Sequence, residues 1–64
     1  MNDFETRIRG QLEAYQRMLA GARASGQVDQ VLLVRNQIGA YCLGLRTCLS
    51  GRYIDRLLAG YDLD

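Results

Sequence analysis

Residues 28–49, VDQVLLVRNQIGAYCLGLRTCL, are apolar on nearly every side when wound into a helix, and only Asp29, Arg35 and Arg46 in them are charged. One stripe holds Val31, Val34, Ile38, Tyr41, Cys42, Leu45 and Leu49, close to a heptad seam. The other side holds Leu32, Leu33, Ala40 and Leu43. A helix that is hydrophobic all round must be covered all round. One neighbouring helix covers one side only, so this segment demands a second contact.

The first neighbour is the segment before it. Phe4, Ile8, Leu12, Tyr15, Leu19 and Ala22 recur at helical spacing, and at 100° per residue they fall within about 80° of arc. Asp3–Arg7, Glu5–Arg9 and Glu13–Arg17 are acid-before-base pairs one turn apart, an arrangement worth roughly 0.2–0.5 kcal/mol per pair to an isolated helix. Asn2 or Asp3 can cap the start. The spacing predicts helices over about 3–24 and 28–49, separated by Ser25-Gly26. Glycine just past a periodic run is the usual helix stop, since it enters the left-handed region without steric cost. So short a link forces the second helix back antiparallel to the first. A second Ser-Gly pair, Ser50-Gly51, sets off a third piece. A short helix is predicted there over about 52–59, with Tyr53, Ile54, Leu57, Leu58 and Tyr61 as its apolar residues. Two turns are too few to stand without docking.

The hairpin core is therefore expected to comprise Phe4, Ile8, Leu12, Tyr15, Leu19, Val31, Val34, Ile38, Tyr41, Leu45 and Leu49. The candidate partner interface comprises Leu32, Leu33, Gly39, Ala40, Leu43, Gly44, Tyr53, Leu57 and Tyr61. Folding about Ser25-Gly26 places Gly10 level with Tyr41 and Leu12 level with Gly39, large against small, as in tight helix contacts. Gly44 points away from that seam, toward the second contact. Arg35 and Arg46 share one edge and are expected to form an ion-pair rim with Glu13 or with acids of another chain. Such rims set register more than affinity.

A chain of 64 residues has room for one small helical domain, 1–64. At that size a lone core is marginal and a partner subunit is a common remedy. With 48% hydrophobic residues and a net charge of +1, the composition does not fit disorder, and it gives no strong pull toward nucleic acid. All eight basic side chains are arginine, with acids interleaved throughout, so no phosphate-reading cluster forms. No apolar run reaches the roughly 18 residues of a membrane span. The opening MNDFETRIRG is too polar for a secretory signal. A cytoplasmic location is expected, that of a host cell if the protein is viral, with virion association as a variant.

Cys42 and Cys48 are six residues apart. On one intact helix that is roughly 9 Å of rise, beyond the about 7 Å a disulfide can bridge. There is no histidine and no third cysteine, so a tetrahedral zinc site is not expected. Small buried hydrophobes are the expected role of both, with a cross-chain disulfide as the alternative. Without His, Lys or a glycine-rich phosphate loop, neither catalysis nor a cofactor or small-molecule substrate is expected.

The segment QLEAYQRMLAGARASGQVDQVLLVRNQIGAY resembles the small helical-hairpin accessory proteins that bacteriophages of GC-rich hosts encode. The likeness lies in the order amphipathic helix, Ser-Gly turn, apolar helix, and spans about half the chain. It implies either a virion assembly part or a binder that inhibits a host factor. The expected fold is all-α, an antiparallel hairpin with a short third helix. The expected function is a non-enzymatic protein–protein interaction module, a structural or adaptor component of a homo-oligomer or larger assembly. The alternatives are a small inhibitor of a host or viral protein and, less favoured, a weak nucleic-acid-binding helix pair.

Overall fold

The computed structural model describes residues 3–63. It consists of three helices, α1 (Asp3–Ala24), α2 (Val28–Arg46) and α3 (Gly51–Leu58), with no strand among the described residues. Along α1, Glu5 pairs with Arg9 at 3.4 Å and Glu13 with Arg17 at 3.6 Å. The Glu13–Arg17 pair stands in solvent and the Arg9–Glu5 pair is partly open to it, so screening leaves both ion pairs worth little in themselves.

The turn between α1 and α2 is a Schellman motif. The Gly26 N–H donates to Arg23 O at 3.1 Å, and the Gln27 N–H to Ala22 O at 3.1 Å. Gly26 has φ +68°, the left-handed region that costs other residues about 1–2 kcal/mol. Replacing Gly26 by Ala is therefore expected to destabilise the protein by about 1 kcal/mol in urea unfolding. Gly10→Ala is the control with the opposite sign. It lies inside α1, and a side-chain methyl there would meet nothing within 4 Å, so alanine is favoured by up to about 1 kcal/mol.

The second Ser-Gly pair works differently. Gly26 is the only described glycine with positive φ, so Gly51 does not stop α2. Ser50 instead starts α3: extended at φ −68°, ψ 146°, its hydroxyl accepts the Tyr53 N–H at 3.2 Å. The second helix thus ends at Arg46 rather than near 49, and the third spans 51–58 rather than 52–59. The chain between them tightens through Thr47 N–H to Gly44 O and Cys48 N–H to Leu45 O. The Thr47 hydroxyl also donates to Gly44 O at 2.6 Å. Such local side-chain bonds compete with helix propagation.

α1 and α2 pack side by side, and α3 with the tail after it folds across one groove of this hairpin. The core has two connected parts. Near the open end, Ile8, Leu12, Leu45, Ile54 and Leu57 are buried together, with Tyr41, Leu49, Tyr53, Leu58 and Tyr61 packed against them. Toward the turn, Leu19, Val34 and Ile38 form the second part, flanked by Tyr15, Val31 and Cys42. Leu63 touches both parts. The ring of Tyr15 meets that of Tyr41 edge-on, centroids 5.7 Å apart, a favoured aromatic geometry.

Several expectations are corrected. Phe4 is not core: it is 46% exposed, because α2 has already ended opposite the first turn of α1. There it lines an open hollow with Glu5, Cys48, Leu49, Ser50 and Tyr53. Gly10 does not face Tyr41, whose ring partner is Tyr15. The tight glycine contact in the seam does not form either, since nothing lies within 4 Å of where a Cβ would sit on Gly10 or Gly39. Gln27 joins the turn as the N-cap of α2, so the link between the helices is residues 25–27 rather than Ser25-Gly26 alone.

Candidate functional site

The described structure leaves one extended apolar surface open, along the side of α2 that faces away from α1. Val34, Ile38 and Leu45 point inward and are buried. Leu32 is 54% exposed, Leu33 50% and Leu43 68%, and Val28, Gly39, Ala40 and Gly44 are exposed with them. At 100° per residue, Leu32, Leu33 and Leu43 lie well round the helix from the buried set. Val28, Leu32, Asn36, Gly39 and Leu43 recur at spacings of four and three, so α2 carries two helical stripes. The inner one is used by the fold, and the outer one stays open to solvent.

Leu32, Leu33, Gly39, Ala40, Leu43 and Gly44 fall together on this outer surface. The other interface candidates do not join them. Leu57 is fully inside the core, and Tyr53 and Tyr61 are half-buried against it. The reason is that α3 docks over Ile8, Leu12 and Leu45 rather than over the outer side of α2. Val28 and Asn36 belong to the exposed stripe although the sequence alone did not single them out. Their four-residue spacing from Leu32 was the available signal.

The arginine rim is corrected as to Glu13 alone. Arg46 donates to Asp55 of α3 at 3.3 Å, while Glu13 is held by Arg17 on its own helix. Arg35 is exposed and makes no ion pair among the described residues. Two arginines therefore border the outer strip, and Asp29 sits at its N-terminal end.

The tail is fastened on the opposite side of the molecule. The Tyr53 hydroxyl donates to Glu5 Oε1 at 2.5 Å, and the Asp62 N–H donates to Gln16 Oε1 at 3.1 Å. The Tyr53 hydrogen bond, assisted by Arg9 and opposed by partial desolvation, holds the Glu5 carboxyl below its usual range. The same bond, with desolvation, raises Tyr53 above its usual value. Arg9 is raised further, chiefly by Tyr61 and then by Glu5. Because the folded Glu5 value lies below the ordinary 4.5, its contribution is present above pH 4.5 and is lost as pH falls through the lowered value. Tyr53 is raised above 10.0, so its contribution holds below pH 10 and disappears as pH rises through the folded value. The urea midpoint of the wild type is therefore expected to fall between about pH 5 and about pH 3 more than that of Glu5→Gln. Parallel curves for the two proteins over that range would contradict the assignment.

Nothing in this arrangement gathers reactive chemistry. Cys42 is half-buried and Cys48 exposed, and both are free thiols. Burial raises Cys42, with Arg46 offsetting it only in part, so it stands as thiol rather than thiolate. Cys48 lies beyond the end of α2, its sulfur 3.6 Å from Leu45 O. No group of three or more His, Cys, Asp or Glu residues is placed to hold a metal among the described residues. No described helix is long and apolar enough to cross a membrane. Comparison with protein-family models, with curated proteins and with solved structures gives no match for this chain.

Proposed function

We propose that this protein is an interaction module, a structural or adaptor component that works by laying the outer side of α2 against another protein surface. The observation that carries this reading is the exposure of Val28, Leu32, Leu33 and Leu43 along one strip of a helix whose other side is buried. Isolated exposed leucines are ordinary, but a contiguous apolar strip bordered by charged residues marks a contact surface. Full burial of such a side chain is worth about 1.5–3 kcal/mol. Half-exposed, each of the four would stabilise a complex by roughly 1–2 kcal/mol before the costs of association. A part of a larger assembly, virion or otherwise, is the form of module we propose; the same strip would also serve a small inhibitor that caps another protein.

A photo-crosslinking amino acid at position 43, introduced into the full chain in its native cell, tests this. Covalent protein adducts are expected at position 43 and not at position 7 on the outer side of α1. Adduct formation should be lost when Leu32→Asp is added. Equal adduct yields at both positions would show that the strip has no special role.

A further inference from the structure

Resting on the interaction reading, we infer that the occupant of the outer strip of α2 is a second copy of this chain, docked antiparallel across a two-fold axis near Asn36 and Gln37. The strip carries its own complement. Rotated about that axis, Leu33 of one copy comes level with Ala40 of the other, on the same edge of the contact. Leu32 falls into the gap between the second copy's Gly39 and Leu43. Leu33 thus meets the small Ala40, Leu32 sits against Gly39 on one side and Leu43 on the other, and the two-fold repeats these contacts in the other direction. Asn36 lies beside the axis, where its amide can pair with the second copy's Asn36. A single polar residue within an apolar helix contact fixes register and subunit number.

The charges agree with this orientation. Asp29 lies at the N-terminal end of the strip and Arg46 at the C-terminal end. Antiparallel pairing brings the acidic end of each copy to the basic end of the other and opposes the helix dipoles. Parallel pairing would stack Asp29 on Asp29 and Arg46 on Arg46. Arg46 uses one nitrogen on Asp55, which leaves donors of its five-pronged head for a second acid.

Gly39 leaves room for this packing. A mid-helix glycine is unfavourable relative to alanine, and nothing in the chain lies within 4 Å of the space its side chain would fill. Gly10, Gly21 and Gly44 are equally open, so the gap at Gly39 is room that Leu32 of a second copy can use. The strip follows 19 residues of helix, about 28 Å at roughly 1.5 Å per residue. A contact of that length and one helix wide stays below the roughly 800 Å² per partner of a standard interface. The dimer is therefore expected to be weak and reversible.

Sedimentation equilibrium of the full chain tests the proposal. The mass is expected to rise from 7.2 kDa toward twice that value as concentration increases from about 10 μM to about 1 mM, the regime of small interfaces. Gly39→Gln is expected to weaken self-association at least about tenfold while raising the thermal midpoint, because it fills the notch and improves the helix. That pair of opposite effects cannot come from unfolding. With Cys42→Ala and Cys48→Ala as background, Asn36→Cys should form a disulfide dimer under mild oxidation, and Ala20→Cys should not. A mass constant at 7.2 kDa up to the highest concentration, or Gly39→Gln associating as the wild type does, overturns the second-copy assignment. If the chain stays monomeric while position 43 still cross-links to a different protein, this inference fails and the interaction reading stands. If neither occurs, both fail.

Discussion

Leu45→Asp is expected to unfold the protein, whereas Leu43→Asp, two residues earlier on the same helix, is expected to leave it folded. The two leucines occupy opposite sides of α2. Leu45 is 8% exposed and packs with Ile8, Leu12, Ile54 and Leu57. A carboxylate there would be buried among apolar groups with no partner, a penalty of several kcal/mol. At about 0.05–0.15 kcal/mol per residue, the total stability of a chain this size is only about 3–10 kcal/mol. Leu43 is 68% exposed, and its change is expected to shift stability by less than about 0.5 kcal/mol. Helical circular dichroism should separate the pair: cooperative melting retained in Leu43→Asp, and a large loss of helix in Leu45→Asp. Similar spectra for both would mean that the two sides of α2 are not distinguished as described.

Ile54→Ala is expected to be the most damaging conservative change in α3. Ile54 is fully buried although its helix has only eight residues, so the helix exists through what Ile54 and Leu57 touch rather than through its own propensity. Large-to-alanine changes at buried sites cost about 2–5 kcal/mol. In a domain of this size that corresponds to a fall in melting temperature of roughly 10 °C or more. Release of α3 would also free Leu63, which bridges both parts of the core, and would uncover Ile8 and Leu12. A melting temperature unchanged by Ile54→Ala would show that α3 is an ornament on the hairpin. Rates of amide exchange give a second readout. In the variant, α3 and residues 61–63 are expected to lose protection first, while residues 15–38 near the turn keep theirs longest.

The two Ser-Gly pairs show what local chemistry in the sequence can and cannot reveal. Both mark boundaries, and both boundaries are legible from the residues. Whether a pair ends one helix or begins the next depends on backbone geometry that the residues alone leave open. Ser25-Gly26 closes α1 through the left-handed glycine, while Ser50 opens α3 by accepting the Tyr53 N–H. Phe4 illustrates a different limit. Its spacing matches Ile8 and Leu12, yet periodicity reports which side of a helix a residue is on and not whether anything stands opposite. α2 stops short of that level, and Phe4 remains half out.

The candidate site was legible in a similar, partial way. Leu32, Leu33, Ala40 and Leu43 stand on the side of α2 away from the seam because helical spacing dictates it. Val28 and Asn36 keep the same period, but one begins the helix and the other is polar, so neither stands out in the sequence as an apolar contact. Tyr53, Leu57 and Tyr61 were expected to face a partner because an isolated two-turn helix gives no sign of where it docks.

By itself, then, the sequence determined the helices, the hairpin and the two-sided hydrophobicity of α2, since each follows from helical periodicity and short-range turn chemistry. Only the tertiary structure decided which side of α2 the third helix would cover. That choice rests on long-range contacts, Tyr53 to Glu5, Ile54 into the core and Leu63 across both of its parts. Such contacts join residues far apart along the chain, and no local pattern encodes them. Because α3 takes the groove beside Ile8 and Leu45, the outer strip of α2 stays open to water.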